Sequence, residues 1–261
     1  MTSDNILLQI VSAADPTSID GVLEEMEAID KALSNDDGLK WFNLLYLMVT
    51  KAVRALSPEG GWADERWIQR LDVVFANLYF GAVADSYRDP NTALRAWRVL
   101  FEARAQTRIA RVQFALAGMN AHIDHDLPIA VVQTCKELDI APERGTPEYQ
   151  DFEYVNSILN SVEPEAMQFL ATGSMGETLV DLGIEGLEEL GRELAEDLGV
   201  EDLEKLGDVL AMWSVQNTRE TAWSNAEILW HIQDLQILRD NFLLGLDKLT
   251  SFAGRGLLSP I

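Results

Sequence analysis

The sequence predicts an all-α fold, a single-domain multi-helix bundle, and three observations carry that expectation. Apolar residues recur at helical spacing along most of the 261 residues, and no segment alternates with the period of two that a half-buried strand requires. Hydrophobic residues make up 48% of the chain, enough for a full core in one large domain spanning 1–261. Helix punctuation recurs at plausible intervals, as in Asp15-Pro16-Thr17-Ser18, Asn35-Asp36-Asp37-Gly38, Ser57-Pro58-Glu59-Gly60-Gly61 and Asp89-Pro90-Asn91.

The first predicted helix carries Ile19, Leu23, Met26, Ile29 and Leu33 at helical spacing. The second, near 39–56, is apolar on most of its circumference, as a central helix should be. A third, near 63–87, presents Trp67, Leu71, Val74, Phe75, Leu78 and Tyr79, with Asp72 embedded among them. A fourth is expected near 92–105, followed by a helix beginning at Arg111 and continuing to His122. Pro128 fits the first turn of the next helix, where its missing N–H costs nothing. A loop at 142–147 precedes a helix over 149–170. From 173 to 207, seven glycines punctuate Leu- and Glu-rich stretches, which read as short amphipathic helices forming an insertion or lid. One long last helix is expected over 208–249, with a frayed tail from Gly254.

Charge narrows the function. The chain has 43 acidic and 20 basic residues, a formal charge of −23, which repels nucleic-acid phosphates and anionic membranes. Neither is an expected partner. No run reaches the roughly 20 apolar residues of a membrane span, and Ile6–Val11 has no basic flank of the signal-peptide kind. The single cysteine, Cys135, rules out an intrachain disulfide and a thiolate-rich zinc site. A cytoplasmic protein acting on a small molecule is the expectation, with a homo-oligomer compatible.

The chemistry concentrates at Gly118-Met119-Asn120-Ala121-His122-Ile123-Asp124-His125-Asp126-Leu127-Pro128. On a helix, His122 and Asp126 lie one turn apart on one face and can share a metal, share a proton or clamp a substrate. His125 and Asp124 are expected on the outer face. Asp72 is a third catalytic candidate, since a carboxylate in an apolar stretch needs a metal, a histidine or an arginine such as Arg108 or Arg111 to offset its burial. Asn77 is a weaker case of the same kind. Arg219, Trp223, Glu227 and His231 repeat every four residues and could line a pocket. Asn120, Asn77, Trp223 and Glu227 are the expected substrate contacts.

Two readings of an enzyme follow. In the first, His122 and Asp126, with Asp72 or Glu227, bind one divalent ion (Zn, Fe or Mn) and activate water or polarise a small substrate in a hydrolase-like role. In the second, His122 acts without metal as general acid or base, oriented by Asp126, in a cyclase, isomerase or lyase acting on an apolar metabolite. A third reading is a non-enzymatic acidic binding protein. No phosphate-binding loop, dinucleotide fingerprint or nucleophile elbow is present.

The segments Arg70–Tyr79, Ala96–Glu102, Phe114–Pro128 and Ala222–Trp230 resemble a bacterial family of unknown function. The resemblance spans most of the chain outside 173–207, implies a shared helical fold and draws attention to Asn120, His122, Asp126 and Pro128. His122, Asp126 and Leu127 are also similar to the metal-helix run of the all-α zinc phospholipase C and single-strand nuclease group, with Pro128 displaced. That group uses many histidines and this chain has three, so the likeness implies at most one metal.

Overall fold

The computed structural model describes residues 3–89, 93–170 and 215–258, and every regular element among them is helical. In chain order these are α1 (Ser3–Ala13), α2 (Ile19–Ala32), α3 (Gly38–Ala55), α4 (Glu65–Arg88), α5 (Arg95–Ala103), α6 (Arg111–Asn120), a π-helical turn (Ala121–Asp126), α7 (Leu127–Leu138), α8 (Pro147–Leu170), α9 (Val215–Ile232) and α10 (Gln236–Leu257). No helix among the described residues is long and apolar enough to cross a membrane. The predicted insertion or lid at 173–207 lies outside the described residues.

The polar punctuation works as the sequence suggests. Ser18, Asp37 and Asp64 accept the backbone N–H groups of Gly21, Leu39 and Trp67, satisfying donors that the first turns of α2, α3 and α4 leave orphaned. Asp37 also pairs with Arg104, tying the α2–α3 turn to the end of α5. Asp151 on α8 accepts both Ala63 and Asp64 N–H groups and so fixes the approach to α4.

The central helix is α3, packed against α2, α6 and α8, while α4 lies on α1 and α7. The C-terminal pair closes the bundle, α9 against α7 and α10 against α5 and α6. Two glycines permit the closest approaches. A Cβ on Gly118 would fall 2.3 Å from the Phe42 ring, and one on Gly38 would fall 2.4 Å from the Phe114 ring. Both glycines lock α3 against α6.

One element was not expected, and two expectations need correction. The segment before Pro16 forms α1, anchored by buried Leu7 and Val11. The long last helix is two helices: the chain breaks at 233–235, where Leu235 N–H bonds the Ile232 carbonyl, without any glycine or proline to announce it. The tail is docked as far as it is described, because α10 continues to Leu257, and Leu257 and Leu258 are buried.

Candidate functional site

The site begins with Pro128. It follows a helix without interruption, so it can neither donate to the Asp124 carbonyl nor tolerate its ring against that group. The backbone answers by widening: residues 121–126 form a π turn in which Leu127 N–H reaches the His122 carbonyl, five residues back. The wider turn changes which side chains share a face.

His122, His125 and Asp126 all become buried, at 1%, 3% and 1% exposure. Asp126 Oδ2 lies 3.0 Å from His122 Nδ1 and accepts Trp97 Nε1–H at 2.8 Å; its Oδ1 lies 2.8 Å from His125 Nδ1. An ionised carboxylate only accepts, so both imidazoles present Nδ1–H to it. Burial alone would raise Asp126, but the two imidazole bonds outweigh it and hold the carboxyl below its ordinary value. This corrects the expected outward positions of His125 and Asp124. His125 is drawn inward by the π turn, and Asp124 is half-buried, which pushes its carboxyl up to about 6.

The His122 ring is enclosed by aromatic rings from three helices. Phe75 stacks on it at 3.5 Å between centroids and 4° between planes, Tyr46 meets it edge-on at 4.6 Å, and Phe42, Trp97 and Tyr79 stand at 5.7, 5.8 and 6.1 Å. Four of these rings are buried and Phe75 alone is half-buried. Within this apolar box His122 Nε2 has no hydrogen-bond partner. Burial depresses the imidazole below its ordinary value despite the opposing pull of Asp126, so the ring is neutral and Nε2 carries a bare lone pair.

Further unpartnered buried atoms lie around Tyr46: its own hydroxyl, Thr50 Oγ1 one turn along α3, and Asp72 Oδ2 on α4. Asp72 stands one turn before Phe75, and its charge acts on the Tyr46 phenol, as does that of Asp126. The phenol is pushed well above its ordinary value, by burial first and by these carboxylates second. Asp72 is half-buried with its Oδ2 covered, and burial lifts its carboxyl to about 7. Neither expected arginine reaches it: Arg111 lies over the Trp41 ring and Arg108 is exposed.

The other predicted residues are placed elsewhere. Asn120 spends its amide on the Thr250 carbonyl of α10, and Asn77 on the Pro16 carbonyl before α2. Both act as struts between elements. Trp223 packs with Trp67, Tyr149 and Phe152 in a second aromatic cluster, and Glu227 approaches Arg144 at 3.6 Å. The four-residue stripe does not line one pocket, since Arg219 and Trp223 are buried, Glu227 is half-buried and His231 is exposed. Arg219 instead donates to the Phe152 carbonyl and lies over that ring.

The donor set does not fit the expected metal. Three of the roughly four lone-pair sites of Asp126 are committed to N–H donors, and Nε2 is the one atom of the pair left without any partner. Among the described residues no group of three or more His, Cys, Asp or Glu side chains could hold an ion. Sequence reading missed His125 and Tyr46 as parts of the site, took Phe75 and Tyr79 for the apolar face of their helix and did not single out Phe42. Only the proline behind the histidine pair signalled the turn that rearranges them.

Comparison with known proteins adds membership but no activity. Residues 19–260 match the model of the family of unknown function DUF5995, and the chain belongs to that family. No curated protein and no solved structure matches the chain.

Proposed function

We propose that the chain is a metal-independent enzyme that transfers a proton on a small, mainly apolar metabolite, with His122 as general base. The observation that carries this reading is the bare Nε2 of an imidazole whose Nδ1–H is fixed on a carboxylate that accepts three N–H groups in all. A structural histidine in an apolar core gains nothing from an orphaned acceptor, which costs about 1–3 kcal/mol. A base needs that lone pair.

The chemistry follows from three groups. His122 Nε2 takes a proton from an acidic C–H bond of the substrate, and Asp126 stabilises the imidazolium that forms. Tyr46 holds its proton throughout and can donate to oxygen where negative charge develops. Asp72, poised near 7, returns a proton at the far atom. Net movement of a proton within one molecule makes an isomerase, and loss of a β-substituent makes a lyase. Phe75, the one half-buried wall of the box, is the side chain whose rotation admits substrate.

The pH profile has a definite shape. Activity falls on the acid side as His122 is protonated, below its ordinary 6.5, and on the alkaline side as Asp72 loses its proton above about 7. The test is to incubate the protein with a metabolite extract in D2O and follow mass shifts. At least one compound should gain deuterium with wild type, and the rate should drop about 100-fold in folded His122→Gln. If wild type labels nothing across the pH range while remaining folded, the enzymatic reading fails and the box is a binding or structural feature.

A further inference from the structure

A row of polar groups beside His122 narrows the substrate. α3 and α4 run antiparallel along the box: Tyr79 O–H donates to Asn43 Oδ1 at 3.2 Å, and one turn along the Tyr46 ring meets the Phe75 ring at 5.7 Å. The next step, four residues on along α3 and three back along α4, sets Thr50 level with Asp72. We infer, resting on the reading of His122 as base, that Thr50 and Asp72 hold the β-hydroxyl of a small uncharged β-hydroxy ketone or aldehyde, which the site dehydrates to the conjugated enone or enal.

The two rungs differ in how their polar groups are met. Asn43 is buried and satisfied on both sides, since its Nδ2–H also reaches the Met26 carbonyl at 3.0 Å. Thr50 is 0% exposed, yet its hydroxyl has no hydrogen-bond partner, not even the Tyr46 carbonyl one turn back that a helical Thr commonly takes. Asp72 Oδ2 and the Tyr46 hydroxyl are equally unmet. Left so, a buried hydroxyl is destabilising, and valine would fill the Thr50 position without that cost. An alcohol oxygen suits the rung because it both accepts and donates. The box is built of aromatic rings, hydroxyls, carboxylates and an imidazole, with no lysine or arginine among the groups named, and the chain carries a charge of −23. A carboxylate or phosphate would find no cation there, so the substrate is neutral.

The step balances without a further reactant. His122 Nε2 removes the proton of the α-carbon, and that C–H electron pair forms the new C=C bond while the Tyr46 phenol donates to the carbonyl oxygen. The Cβ–O bond breaks with its electron pair on oxygen. The Asp72 carboxyl, lifted to about 7 by burial, supplies the proton that makes that oxygen water, and Thr50 holds it in place. The imidazolium then gives up its proton and Asp72 regains one from solvent, so nothing is oxidised or reduced.

The test gives the full chain acetaldol, diacetone alcohol and a phenyl-bearing β-hydroxy ketone in D2O, following water loss by absorbance of the conjugated product and α-carbon labelling by mass. At least one compound should be dehydrated, about 100-fold more slowly with Asp72→Asn. Thr50→Val should lower kcat/KM about tenfold without lowering the melting temperature, and Thr50→Ser should restore it. An unchanged rate in Thr50→Val, or a rate loss that merely follows a lower melting temperature, overturns the role of Thr50. Labelling of the α-carbon without water loss keeps His122 as base and overturns the dehydration, as does failure on all three compounds by protein that labels other metabolites. Cleavage of diacetone alcohol to acetone would put the base on the hydroxyl and overturn it equally. If nothing is labelled at all, the reading of His122 as base fails and the substrate assignment falls with it.

Discussion

Asp126 and Asp72 are both carboxylates with buried oxygens whose charges act on Tyr46, and their acidities are shifted in opposite senses. Asp126 is met by three N–H donors from α5 and the π turn and is held below its ordinary value. Asp72 has a covered oxygen with no donor at all and rises to about 7. Burial is common to both, so donors decide the charge. Two environments that drive like groups apart are what acid–base catalysis at neutral pH requires. The carboxylate with three donors orients a base, and the one without a donor on its covered oxygen remains able to carry a proton.

The comparison breaks most severely at Asp126. Asp126→Ala leaves the Trp97 indole and two imidazole N–H groups buried without an acceptor. A loss of about 3–5 kcal/mol is expected from urea unfolding, large enough to threaten folding of the chain. A loss below about 1 kcal/mol would mean that the network contributes little and that the donors find other partners. Asp72→Asn should act in the opposite direction. The folded carboxyl titrates near 7 and the unfolded one near 3.8, so ionisation at higher pH costs the folded state stability. The amide removes that cost: about 2–4 kcal/mol is regained above pH 7, and the gain vanishes below about pH 4. A stability difference independent of pH would show that Asp72 is ordinarily hydrated.

How much of this was legible in the sequence differs between the fold and the site. Helix ends at Ser18 and Asp37 could be read because capping is local chemistry, and His122 with Asp126 could be read because the two are neighbours on any helix. The aromatic box could not, since Phe42, Tyr46, Phe75, Tyr79 and Trp97 occupy ordinary core positions on three separate helices. Nor could the inward turn of His125, which depends on how the backbone accommodates Pro128. The error over Trp223 and Glu227 has a geometric cause. Four residues advance a helix by about 400°, so a stripe at that spacing drifts about 40° per step. Over the 12 residues from Arg219 to His231 the stripe therefore passes from the buried side to the exposed one.

The two histidines on Asp126 give the smallest but sharpest version of the comparison. Burial would depress His125 too, but the bond and charge of Asp126, with Asp247 beyond it, more than offset burial and raise it above 6.5. A raised folded value means that His125 lends stability fully present below 6.5 and lost as pH rises through its folded value. His122 has the reverse sign: its folded value is depressed, so stability is lost as pH falls from 6.5 toward that value. His125→Gln should therefore cost more at pH 5 than at pH 8, while His122→Gln should cost less at pH 5 than at pH 8. Urea midpoints at the two pH values decide it. Parallel pH dependence in both variants would mean that Asp126 treats the two imidazoles alike, and the assignment of a neutral base to His122 would then lose its physical ground.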